Sequence, residues 1–178
     1  SPLIDFDVTA DVTFVDPAWR NMWIFAEGTG SFLSISSPSL SVRRGQHIRL
    51  HGRFHPTPTL STDQVEITVL GPSPAINILS TAGDTLNLDR FQHLPVRMEG
   101  LVESQVSLDA SHIRLGLLSE GHAVETDVVL GPGELVPVLT GAVISAEGIY
   151  SGLFDGMKRT GTRLWLQSPG MIKVLSWL

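Results

Sequence analysis

Three histidines at intervals of four, His47, His51 and His55, are the first residues whose types and spacing suggest chemistry. On a helix this spacing stacks the imidazoles on one face and would suit a metal ion. The alternation of apolar and polar residues around them reads as a strand instead, and Gly52 disfavours a helix. On a strand, His47, Arg49, His51, Arg53 and His55 share one face as a basic ribbon. Such a ribbon either meets an anion, such as a carboxylate or an acidic sugar, or is the solvated face of an edge strand where charge discourages aggregation. The second reading weighs more, because strand faces commonly alternate between buried and solvated. No metal is expected.

Trp19, Met22, Trp23 and Phe25 crowd one strand and the turn before it. Exposed on a small barrel, such rings stack on sugars or bases. Buried, they make the core, which is the weightier role for each Trp, including Trp165 and Trp177. The glycine-flanked loop Ser151–Arg159 offers Leu153 and Phe154 either to a partner or as a plug under a barrel, the plug being favoured. No serine elbow, zinc-protease motif, phosphate loop or dinucleotide fingerprint occurs, and Asp16, Glu27 and Asp155 fall in turns where acids are ordinary. The absence of cysteine excludes disulfides, thiolate metal sites and thiol nucleophiles. A non-catalytic module without a cofactor is expected. Its best ligand residues are Trp19, Trp23 and Phe25, with Arg49, Arg53 and His55 at the rim.

Short strands must position these residues. Val8, Ala10, Val12 and Phe14 alternate with polar residues until Asp16-Pro17. Met22–Ala26 and Phe32–Ile35 flank a glycine turn at Glu27–Gly30, and Pro38–Arg44 connects them to Gln46–Phe54, with room for one helical turn. Val65, Ile67 and Val69 supply a fifth strand. Five strands in this order, with the long connection between the third and fourth, fit an OB-fold barrel. The plan recurs: Val96–Val102, Ile113–Leu118, Val124–Leu130, Val136–Ser145, then Leu164–Leu166 and Ile172–Leu175 as a fifth or split fifth strand. The chain is therefore expected to be all-β, two tandem five-stranded OB-like barrels at 1–72 and 95–178 with little helix. The linker, 73–94, offers Ser80 as N-cap of a short helix.

Charge bears on the partner. The net charge is −6, with five Arg against seven acids in residues 1–79 and seven basic residues against eleven acids in 80–178. A nucleic-acid binder needs a basic stripe, so nucleic acid is not expected, and a small molecule or a protein is. The most membrane-like stretch, Val128–Ile144, is broken by Pro132, Gly133, Glu134 and Pro137. A chain opening Ser-Pro-Leu reads as a processed or excised segment, so any membrane contact would come through flanking segments.

Five stretches carry a resemblance. They are Val12–Trp19, Trp23–Gly30, Arg44–Gly52, Pro95–Val102, and Gly152–Phe154 through Thr160–Leu166. In them the chain resembles tandem OB-like modules of bacterial sensor proteins that lie ahead of histidine-kinase or diguanylate-cyclase (GGDEF) domains. Ser80–Leu88 departs from that family's linker. The resemblance implies a periplasmic or other extracytoplasmic location and a sensory role in signal transduction. The reading is a sensory module binding a ligand or partner, with a homodimer in prospect. Its alternatives are a single-stranded nucleic-acid binder and a structural dimerisation module.

Overall fold

The computed structural model describes residues 2–81 and 88–178. The chain divides into two units, Ser1–Asn77 and Ile78–Leu178. Among the described residues no helix is long and apolar enough to cross a membrane.

The first unit contains β1 (Ile4–Asp16), β2 (Asn21–Ala26), β3 (Thr29–Ser34), β4 (Gln46–Phe54), β5 (Leu60–Ser61) and β6 (Glu66–Pro72), in the sheet order β5-β3-β2-β1-β4-β6. β5 and β6 are two halves of one fifth strand, interrupted by a 3-10 turn at Thr62–Gln64. β5 lies parallel to β3 at Leu33 and Ser34, and β6 lies antiparallel to β4. The sheet thus closes on itself as a five-stranded OB barrel. Ala10, Val12, Met22, Ile24, Leu33 and Ile48 fill its interior. They are every second residue along their strands, as the pleat requires.

The second unit contains β7 (Leu79–Thr81), α1 (Leu88–Phe91), β8 (Pro95–Asp109), β9 (His112–Ser119), β10 (His122–Val129), β11 (Ala142–Asp155), β12 (Lys158–Leu166) and β13 (Ile172–Trp177). β8, β9 and β10 form a meander. β12 lies parallel to β10, and β11 closes the ring between β12 and β8. After a 3-10 turn at Pro169–Met171, β13 returns along the first half of β11. This is the first unit's split fifth strand again.

The two barrels share small devices as well as topology. Each first strand has a bulge, at Val12/Phe14 and at Val102/Ser104. Gly45 and Gly141 both have positive φ, 87° and 91°, and each donates its N–H to a first-strand carbonyl, Val12 O and Val102 O, at 2.9 Å. Seven residues on, Gly52 sits where a Cβ would strike the backbone of the 3-10 turn at Gln64–Val65, and Gly148 where it would strike β12 backbone at Trp165. The hairpins Glu27-Gly28 and Glu120-Gly121 have positive φ at both positions, the geometry that matches strand twist.

Several expectations are revised. The fourth strand of the second barrel is not Val136–Ser145; it starts at Ala142 and runs to Asp155, while Leu135 and Val138 stand exposed in the preceding loop. Pro132 and Pro137 keep that loop from extending the strand. Ser80 is a residue of β7, paired with Arg97, and not a helix cap. Residues 82–87 of the stretch that departs from the family linker lie outside the described residues. Pro38–Arg44 contains no helix; it holds the end of a hydrogen-bonded turn in which Leu40 N donates to Ser37 O at 3.3 Å. Ser151–Arg159 spans the ends of β11 and β12 and their hairpin, where Leu153 is half-buried but Phe154 is 48% and Met157 101% exposed, so Phe154 plugs nothing.

Candidate functional site

The basic ribbon of β4 lies beside an acidic ribbon on β1. Their register sets Asp5 opposite Arg53, Asp7 opposite His51, Thr9 opposite Arg49 and Asp11 opposite His47. Arg49 donates from Nε and Nη2 to the two oxygens of Asp7 at 2.9 and 2.7 Å. His47 Nδ1 is 2.8 Å from Asp11 Oδ1, and Arg53 Nε is 3.6 Å from Asp5 Oδ1. The hydrogen bond from Arg49 holds the Asp7 carboxyl below its ordinary value and raises Arg49 in turn. The ribbon is therefore half of a charge zipper, and its field at an incoming anion is largely cancelled.

The aromatic residues separate. Trp23 is only 4% exposed and packs edge-on against Phe14 and Phe32, with ring centroids 5.5 and 4.9 Å apart. Trp19 is half-buried in the β1–β2 loop, its N–H 3.4 Å from Asp16 Oδ1. Phe25 is half-buried and lines a groove beside β1. His55 is exposed beyond the end of β4. Because β1 and β4 are antiparallel with Ile4 opposite Phe54, Trp19 and His55 occupy opposite ends of the barrel. The structure thus does not gather Trp19, Trp23, Phe25, Arg49, Arg53 and His55 at one place.

A different set of cations, missed in the sequence reading, lies on the β1–β2 and β3–β4 loops, which meet at Arg20 and Ile35–Ser36. Arg20 adopts φ 61°, its carbonyl accepts from Ile35 N at 3.0 Å, and its guanidinium donates to Ser36 O. Ser36 N donates to Thr62 Oγ1 at 2.9 Å, fixing the loop to the fifth strand. Arg43 and Arg44 are exposed at the end of the same loop, which Arg43 N anchors by donating to Gln46 Oε1 at 2.8 Å. Among the described residues no carboxylate pairs with Arg43 or Arg44. The signal was in the sequence: no acid occurs in 17–26 or in 28–62.

In the second barrel several arginines are committed. Arg114 donates to both oxygens of the buried Asp127 at 2.8 and 3.0 Å, a bond that raises the Arg114 pKa. Arg163 bonds Glu125 and lies 5.3 Å over the Trp165 ring, whose Nε1 donates to Ser151 Oγ at 3.0 Å. Arg159 donates to the hydroxyls of Tyr150 and Thr162. Among the described residues no cluster of three or more His, Asp or Glu is placed to hold a metal.

No protein-family model matches the chain, and no curated protein matches it. Solved structures do. A murine DNA-binding protein bound with double-stranded DNA is 8% identical with a TM-score of 0.40, over 97% of this chain and 96% of that one. The tetrameric p202 HIN2 is 12% identical with a TM-score of 0.44, over 98% and 95%. The p204 HINb domain is 14% identical with a TM-score of 0.39, over 96% and 97%. An Ifi202 HINa domain in complex with 20-bp double-stranded DNA is also found. These findings correct the resemblance to bacterial sensor regions, since the neighbours found are a DNA-binding protein and HIN domains and not parts of histidine kinases or diguanylate cyclases. The sensory role, the two-component assignment, the periplasmic location and the exclusion of nucleic acid as a partner are withdrawn with it. At these TM-scores, what the HIN domains bind is a property of those domains.

Proposed function

We propose that the chain is a non-catalytic binding module whose first barrel takes a single nucleic-acid strand across the β1–β2 and β3–β4 loops. The observation that supports this reading is that Arg43 and Arg44 have no carboxylate partner among the described residues, on the same pair of loops that carries Arg20, Trp19 and the hydroxyls of Ser36, Ser37 and Ser39, while the one acid bonded there, Asp16, is buried against Trp19 N. A polyanion responds to charge within about one Debye length, roughly 10 Å at 0.1 M salt, so the local cations outweigh the −6 of the whole chain. Arginine suits phosphate through its fork of donors, and a half-exposed Trp offers a base a surface on which to stack. The zipper on β1 and β4 takes no part, its charges being paired.

Fluorescence anisotropy with a labelled oligothymidylate at low salt tests the reading. Three phosphate contacts predict that log K falls with log salt at a slope near −2. Arg43→Glu with Arg44→Glu weakens binding at least about tenfold, while Arg53→Gln leaves it unchanged. A salt-insensitive or absent interaction, or one that survives the double charge reversal, refutes the proposal. A duplex of the same sequence that binds more tightly than the single strand rejects the strand specificity.

A further inference from the structure

The first strand of each barrel is longer than the hairpin beside it, and the two barrels treat the surplus differently. In the first unit β1 pairs with β4 along Ile4–Asp11, yet pairs with β2 only from Asp11, opposite Phe25, onward. Ile4–Ala10 therefore has no second ladder partner among the described residues. In the second unit β8 pairs with β11 along Pro95–Leu101, and with β9 only from Leu101, opposite Leu118, onward. There the surplus edge is covered: β7 runs parallel to β8, with Leu79 opposite Val96, Ser80 opposite Arg97 and Thr81 opposite Met98.

The register between the units is fixed independently. Gly45 and Gly141 bond Val12 and Val102, and the bulges at Val12/Phe14 and Val102/Ser104 fall at the same step. Val12 thus corresponds to Val102, and Phe6–Val8 corresponds to Val96–Met98, the stretch that β7 covers. Overlapping the equivalent place at Asp7 and Val8, and continuing beyond it, the first unit has an open groove of about 560 Å³ lined by residues 7–11, Phe25, Ala26, Glu27 and His47. Phe6 and Val8 remain half-buried beside it, whereas Leu79 packs onto the core of the second barrel.

We infer that the edge of β1 at Phe6–Val8 is a docking site for an extended segment of another polypeptide, added as a strand parallel to β1. Main-chain hydrogen bonds hold such a strand, and alternate side chains select it. The occupant carries an aliphatic residue in the position of Leu79, which covers Phe6 and Val8. A basic residue follows at its C-terminal end. A parallel strand brings that end to the β2–β3 hairpin, where the exposed Glu27 has no cation partner among the described residues. Asp7 and Asp11 do not compete for it, being held by Arg49 and His47.

The probe is a labelled peptide, Ala-Ile-Asn-Ile-Leu-Ser-Thr-Lys, which copies the sequence leading into β7 and adds the base. Titrated into the whole chain, it binds saturably, and hydrogen exchange slows at Phe6–Ala10 but not in β8. Methylating the leucine nitrogen of the peptide removes one main-chain donor without touching the protein, and weakens binding at least about tenfold, the scale of a lost hydrogen bond in a dry ladder. Glu27→Lys, which sets a like charge against the peptide's lysine at an exposed hairpin position, weakens the peptide but leaves Tm near that of the parent. No saturation up to about 1 mM peptide, equal binding of the methylated form, or protection confined to β8 through displacement of β7 each overturns the inference.

Discussion

Gly52 and Gly148 show how much a single hydrogen atom can decide. A Cβ at Gly52 would lie 2.3 Å from Gln64 O and 3.2 Å from Val65 Cα. One at Gly148 would lie 2.6 Å from Trp165 O and 2.6 Å from Leu166 Cδ1. Both obstacles include backbone, of the turn at Gln64 and of β12 at Trp165, which cannot rotate aside. Each glycine to Ala substitution is therefore expected to cost about 1–3 kcal/mol, lowering Tm by several degrees in calorimetry. Gly161→Ala is the control, since its Cβ would meet only Leu153 at 3.5 Å, and Tm stays within about a degree. Charge obeys the same rule of context. Asp127 is buried, bonds Arg114 through both oxygens and lies 3.5 Å from Arg163, so Asp127→Asn breaks the bidentate pair and leaves Glu125 as the counter-charge of both guanidinium groups, at a cost of about 1–3 kcal/mol in urea unfolding. The bidentate pair of Asp7 with Arg49 looks alike in distance but stands in solvent, and Asp7→Asn is expected to leave the urea midpoint unchanged.

At the scale of elements, the period-two strands were legible because burial on one face imposes it: Gln46–Phe54 was read to the residue, and Gly28 and Gly121 fell where φ is positive, although Gly30 belongs to β3. The second barrel's fourth strand was misplaced because Val136 and Val138 mimic strand alternation while Pro137 forbids it. The repeated frame Gly-x-x-Ile at Gly45–Ile48 and Gly141–Ile144, with glycine again at 52 and 148, marks the fourth strand of both barrels and would have found it. The site was less legible, because strand pairing decides which cations are neutralised: nothing in the order of residues says that Asp7 faces Arg49. Connections carry their own titration. His93 sits between α1 and β8 at φ 67°, with its N–H bonded to Tyr150 O at 2.8 Å, and burial pushes its imidazole below the ordinary 6.5. The folded state then resists a proton that the unfolded chain accepts, so the stability held above pH 6.5 is lost as pH falls through the lowered folded value. Thermal melts at pH 7.5 and pH 5 should show a drop for the parent that narrows in His93→Asn, a residue that tolerates the same φ.

For the molecule as a whole, the division at Asn77–Ile78 assigns β7 and α1 to the second barrel. That assignment has energetic content. Phe91, the last residue of α1, is 4% exposed, belongs to the core cluster and stacks 5.8 Å from the fully buried Tyr150. His93 and Leu94 exchange backbone hydrogen bonds with Tyr150, and Gln92 Oε1 accepts from Gly152 N. A fragment of residues 78–178 keeps all of this. A fragment of residues 95–178 keeps every strand of the closed ring, yet loses a buried aromatic, the bonds to Tyr150 and Gly152, and the cover on Val96–Met98. Loss of the Phe91 ring alone is worth about 3–5 kcal/mol, which in a domain of this size is on the order of 15 °C of Tm. The shorter fragment should therefore melt at least about 15 °C below the longer one, or fail to fold, and should associate through the bared edge of β8 in light scattering. Equal melting temperatures would mean that the ring is self-sufficient and that the segment before it is only a tether.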